Sequence, residues 1–151
     1  MEKDRLVAGA AAGFVGSIQT VITGTIFKSL GWADRAFFDY STTLFGKSTY
    51  ADEGFLGFLM GVITQVAICV IFGVIFAYII KATSSRYLYI KGIGYGFVLW
   101  MLLSSFGTIY NVPLFSDVPL NVAYTTLFTA SLFGFVVAWT LKIIDYKTEL
   151  L

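Results

Sequence analysis

The sequence predicts an all-α polytopic membrane protein with four transmembrane helices in one bundle. Three observations carry that expectation. Charged residues make up 13% of the 151-residue chain, about half of what a water-soluble domain needs to cover its surface. Four runs of some 18 or more apolar residues are each long enough to cross about 30 Å of hydrocarbon at 1.5 Å per residue. Small residues recur every fourth position along these runs, the spacing that lets membrane helices approach backbone to backbone.

The runs are placed at Leu6–Leu30, Gly54–Ile80, Gly92–Ile109 and Leu120–Leu141, and together they make the whole chain a single integral membrane domain. The first run is expected to be an uncleaved span. Its small-residue cluster, Ala8 to Gly13, lies at its start, whereas a signal peptide places the cleavage site at the end. Pro113 and Pro119 close off the third and fourth spans. Lys3, Arg5, Lys81, Arg86, Lys91, Lys142 and Lys147 flank one end of the bundle, against Lys28, Arg35 and Lys47 at the other. The positive-inside rule then places both termini in the cytoplasm.

The spans repeat one another. Gly13-Phe14-Val15 and, after eight intervening residues, Gly24-Thr25-Ile26 correspond to Gly96-Phe97-Val98 and Gly107-Thr108-Ile109, offset by 83 positions. Phe72-Gly73-Val74 leading to Ala77-Tyr78 and Lys81 corresponds to Phe133-Gly134-Phe135 leading to Ala138-Trp139 and Lys142, offset by 61. Two duplicated helical hairpins of equal orientation would give this pattern, as in parallel transporter repeats.

Candidate packing residues are Gly9 and Gly13 on the first span, Gly57, Gly61 and Gly73 on the second, Gly92 and Gly96 on the third, and Ala130, Gly134 and Ala138 on the fourth. The candidate polar interior consists of Gln19, Gln65, Ser104 and Ser105, with Thr20 and Thr23 nearby. An unsatisfied amide is costly in hydrocarbon, so these groups are expected to face inward. The first loop carries Trp32, Ala36, Phe37, Tyr40 and Leu44 at helical spacing, with Asp34, Arg35 and Asp39 off that stripe. This predicts a short interfacial amphipathic helix between Gly31 and Gly46. Lys28 is expected to snorkel to the headgroups. Asp34, Asp39, Asp52 and Glu53 lack the spacing of a calcium loop, and Lys81, Arg86, Tyr87, Tyr89 and Lys91 form a basic aromatic connection that sets topology.

The chain has no His and one Cys, Cys69, which excludes a disulfide framework, a Cys/His zinc site and His-based catalysis within one chain. A net charge of +1 gives no footprint for nucleic acid. No catalytic, metal or cofactor-binding residues are expected, and none of the apolar runs carries an ionisable group at depth, the usual mark of a proton relay or ion path. The expected role is that of a non-enzymatic accessory or scaffold subunit. Its partners would be the lipid bilayer and another membrane protein or a second copy. The alternative is a small channel or facilitator for a neutral solute along the repeat interface.

The stretch Lys91-Gly92-Ile93-Gly94-Tyr95-Gly96, with Leu99-Trp100, Val112-Pro113-Leu114-Phe115, Thr125-Thr126-Leu127 and Phe133-Gly134, resembles the YqhR-type small bacterial membrane proteins, mainly over residues 78–146. The resemblance implies a bacterial cytoplasmic-membrane protein with four spans and supplies no catalytic residues.

Overall fold

The structure, a computed structural model, describes residues 4–42, 54–112, 114–115 and 118–148, with residues 146–148 in backbone only. Five helices follow in order: α1 (Arg5–Ser29), α2 (Phe37–Ser41), α3 (Gly54–Thr83), α4 (Leu88–Ile109) and α5 (Leu120–Thr148). All but α2 are long and apolar enough to cross a membrane. The expected four-helix membrane bundle is therefore the observed fold.

Local chemistry sets the helix ends. Asp4 caps α1, its carboxylate accepting from the Leu6 and Val7 amides at 3.0 and 3.2 Å, which satisfies two of the four amides a helix start leaves bare. The same helix ends in a Schellman turn. Gly31, at φ +71°, donates to the Lys28 carbonyl while Trp32 donates to that of Phe27, and the Phe27 and Trp32 rings stack 5.8 Å apart as the accompanying apolar contact. At the end of α4, Asn111 (φ +49°) replaces glycine, with Asn111 and Val112 donating to Thr108 and Gly107. Asn is the other residue that tolerates the left-handed region there. Helix α4 begins four residues before the expected span. Its Lys91 lies inside the helix and reaches back to the end of α3, where Nζ donates to the Ser84 carbonyl at 2.9 Å.

The helices pair as two antiparallel hairpins, α1 with α3 and α4 with α5, joined along α1 and α5. Glycine makes both hairpins possible. A Cβ on Gly73 would run into the backbone of Gly9 and Gly13, and one on Gly134 into the backbone of Gly92 and Gly96. Gly13 and Gly96 likewise face the carbonyls of Cys69 and Ala130, while Gly9 and Gly92 face the methyls of Ala77 and Ala138. Each contact in the first hairpin thus has a counterpart in the second, displaced by 83 positions on one helix and 61 on the other. Of the expected packing residues, Gly9, Gly13, Gly73, Gly92, Gly96, Ala130, Gly134 and Ala138 lie on the hairpin seams, Gly57 is buried on α3, and there are two differences. Gly61 lies against the Phe38 carbonyl of α2 instead of a spanning helix, and Gly16, absent from the expected set, admits the Phe133 ring and Val137 at the α1/α5 seam.

The main core lies on these seams, around Ala12, Phe76, Ile80, Phe133, Val137 and Ala138. A second, smaller cluster of Ala33, Tyr40 and Val122 with Phe27, Leu114, Phe115 and Val118 fills the loop end of the bundle, opposite the termini.

Candidate functional site

The first loop corrects the expectation of an amphipathic helix lying on the interface from Gly31 to Gly46. Residues 43–46 lie outside the described residues. Of the rest, only Phe37–Ser41 is helical, and Phe38, Asp39, Tyr40, Ser41 and Thr42 are all buried while Trp32, assigned to the apolar face, is 59% exposed. The reason is an ion pair. Lys28 Nζ sits 2.8 Å from Asp39 Oδ2 and 5.1 Å from the centre of the Phe38 ring, and the same carboxylate oxygen accepts from the Ala36 amide at 2.7 Å. Lys28, expected to snorkel to the headgroups, instead directs its ammonium to the Asp39 carboxylate. Asp39, paired in this way, can turn inward and draw the loop down against α1 and α3, where Ala36 meets Gly24 and the Phe38 carbonyl meets Gly61.

The third connection and the start of α5 lock onto this loop. Arg35 Nη1 donates to the Leu114 carbonyl at 3.2 Å, Asn121 Nδ2 donates to that of Trp32 at 3.1 Å, and the Tyr40 and Phe115 rings pack with centres 4.6 Å apart. Burial pushes the Tyr40 phenol above its ordinary pKa, partly offset by the neighbouring Arg35 charge.

Beneath the loop α3 and α4 stand apart. They meet near the termini end, where Tyr95 Oη donates to the Phe72 carbonyl at 2.9 Å and packs on Phe76 with ring centres 5.0 Å apart. Toward the loop end they diverge and leave a cavity of about 330 Å³. One wall is Gln65, Ile68, Cys69 and Phe72 of α3, the other Leu99, Trp100, Leu103 and Phe106 of α4; Phe133 of α5 forms part of the back, and α2 the roof. A neighbouring cavity of about 270 Å³ lies on the other flank of α4, against α5, and shares Tyr40, Trp100, Leu103 and Phe115. One hydrogen bond, Trp100 Nε1 to Thr126 Oγ1 at 3.0 Å, bridges α4 to α5 there.

Side-chain size explains why this seam is open while the one between α1 and α5 is shut. On α1, Gly16 meets Phe133 and Val137 of α5, and Ala12, Ser17 and Thr20 beside it are also small and buried. The residues 83 positions on are Tyr95, Leu99, Trp100 and Leu103. Where Gly16 admits the ring of Phe133, the position 83 residues on holds Leu99, whose branched side chain lines the cavity together with Phe72.

The polar groups expected to gather in the interior do not form one set. Gln65 and Thr20 line the main cavity and Ser104 the neighbouring one. Gln19 is half-buried away from both, with Nε2 donating to Thr23 Oγ1 at 2.9 Å and Oε1 buried without a partner among the described residues. Ser105 is exposed, a correction to the expected interior set: one residue beyond Ser104 on a helix turns the side chain about 100° out of the cavity wall. Ser41, absent from the expected set, donates to Gln65 Oε1 at 2.6 Å. Gln65 Nε2 in turn donates to Cys69 Sγ at 3.4 Å. Among the described residues no group of three or more His, Cys, Asp or Glu could hold a metal ion. Neither a family model, nor a curated protein, nor a solved structure matches this chain.

Proposed function

We propose that the protein is a non-enzymatic scaffold or accessory subunit of the bacterial cytoplasmic membrane, with both termini in the cytoplasm, built from two duplicated hairpins. The observation that carries this reading is the shape of the interior. The cavity is walled almost wholly by apolar side chains, lies between α3 and α4 where the two helices stand apart, and is roofed at the loop end by α2 and the Tyr40–Phe115 contact. A path for a neutral hydrophilic solute needs polar groups along its length to replace the solute's water. An open apolar seam suits association within the bilayer. The duplication is supported by the paired glycine contacts, which keep the same two offsets in both hairpins. The orientation rests on the excess of Lys and Arg at the termini end, and the YqhR-type resemblance agrees with the bacterial placement.

The test is osmotic flux. Proteoliposomes holding the purified protein should take up glycerol and urea no faster than empty liposomes, and mild-detergent extracts should yield a stoichiometric membrane partner or a homo-oligomer. Protein-dependent flux that saturates would replace the scaffold with a facilitator. For orientation, in a Cys69→Ser background, Ser85→Cys should be shielded from an impermeant maleimide in intact cells and Asp34→Cys should react.

A further inference from the structure

We propose that the cleft between α3 and α4 binds an uncharged ring compound bearing a carbonyl, of the quinone class, with Gln65 donating a hydrogen bond to that carbonyl. Size comes first. Apolar cavities of about 150 Å³ stay dry and take up benzene, so about 330 Å³ holds a substituted ring with the root of a hydrocarbon tail, and the cavity is only partly enclosed, which leaves room for such a tail. The walls are suited to a flat ring, since Phe37, Tyr40, Phe72, Trp100, Phe106 and Phe133 all face the cavity, and aromatic pairs add to the energy of burial alone. A mainly apolar pocket with one or two placed polar groups is the usual form of a small-molecule site.

Gln65 supplies the polar group. The residue is 6% exposed and lines the cavity. Its amide has two N–H donors. Its oxygen accepts from Ser41, and its nitrogen meets only the sulfur of Cys69, a weak acceptor. One donor is therefore left over among the described residues, and in hydrocarbon it gains most from a carbonyl.

Depth argues against a phospholipid ester as the source of that carbonyl. Helix α3 is 30 residues long, about 45 Å at 1.5 Å per residue, so when centred it overhangs a 30 Å hydrocarbon layer by roughly 7 Å at each end. Gln65 lies eleven residues from the helix start, about 16 Å along the axis and thus some 9 Å inside the hydrocarbon edge, below the level of lipid esters. A carbonyl at that depth belongs to a molecule that resides within the bilayer core.

The experiment uses the full chain in nanodiscs with Trp32→Phe and Trp139→Phe, which leaves Trp100 in the cavity wall as the only tryptophan. Duroquinone, a fully substituted quinone, should quench Trp100 saturably. Durene has the same ring and methyl groups without carbonyls, and should compete at least tenfold more weakly. Gln65→Leu should bring the affinity for duroquinone down to that for durene. Should that variant fail to fold, the comparison of the two compounds on the parent decides alone. Unsaturable quenching, or durene competing as well as duroquinone, overturns the proposal: the first removes the site, the second leaves a pocket for any hydrocarbon.

Discussion

Gly134 and Gly94 lie on α5 and α4, and replacing each with alanine adds the same methyl group with opposite expected results. At Gly94 an added Cβ meets nothing within 4 Å, so Gly94→Ala should only remove the flexibility of a helical glycine, a gain of about 0.5–1 kcal/mol. At Gly134 the added Cβ would run into the Gly92 carbonyl oxygen, with Gly92 C at 2.8 Å and Gly96 N at 2.9 Å. All three are backbone atoms that no rotamer change can move, so α4 and α5 must separate. Overpacking of this kind costs about 1–3 kcal/mol, and a gap of about 0.5–1 Å forfeits a quarter to a half of each dispersion contact along the seam. Less the same gain in helix propensity, Gly134→Ala should lose up to about 2 kcal/mol. The difference between the two variants isolates the packing term at about 1–3 kcal/mol. Reversible unfolding in mixed micelles, titrated with sodium dodecyl sulfate, reads it directly. Gly73→Ala should behave as Gly134→Ala does, because its Cβ meets Gly13 N at 2.5 Å and Gly13 Cα at 2.6 Å. Equal stability of Gly134→Ala and Gly94→Ala would refute close backbone approach as the basis of the α4/α5 hairpin.

Asp39→Ala removes the partner of Lys28 and bares the Ala36 amide; breaking a buried pair costs about 3–5 kcal/mol, which the partial exposure of Lys28 reduces to about 1–3, and limited proteolysis of residues 31–42 should quicken. Gly31→Ala places a side chain at φ +71° in open space and should cost about 1–2 kcal/mol in the same unfolding assay, whereas Asn111→Gly, at φ +49°, should be neutral or stabilising. The raised pKa of Tyr40 means that the folded state holds the phenol proton more tightly than the unfolded state. The contribution is complete below the unfolded value near 10 and fades as pH rises through the folded value. Stability should therefore fall above about pH 10, and Tyr40→Phe should shallow that fall.

The spanning helices were legible in the sequence because lipid imposes one simple rule, continuous apolarity over a fixed length, and the seams because glycine and alanine spacing records backbone approach. Where α4 begins was not, because Lys91 reads as a charge outside a span although it caps the end of α3. The first loop misled for a similar reason. Its apolar stripe fitted an interfacial helix, but one ion pair between Lys28 and Asp39, eleven residues apart, reverses which side faces the bundle, and a pairing across a turn leaves no periodic trace. The cavity leaves a faint trace when the two hairpins are compared at the 83-residue offset. Gly16 and Ser17 become Leu99 and Trp100 at the same register, and such an exchange of small for large marks the seam that cannot close. Ser41 could not be joined to Gln65 without knowing that the loop turns inward.

The α1/α5 seam is closed and the α3/α4 seam open, and cross-linking in a Cys69→Ser background distinguishes the two. Cysteines placed at Gly16 and Val137 face each other across the first seam, and cysteines at Ile68 and Leu103 face each other across the cavity. Mild oxidation should join the first pair as a disulfide, while the second should resist oxidation and be bridged only by a bis-maleimide with a spacer of several ångströms. Ready disulfide formation between positions 68 and 103, with positions 16 and 137 left unreacted, would contradict the arrangement of helices from which the cleft and its proposed ligand follow.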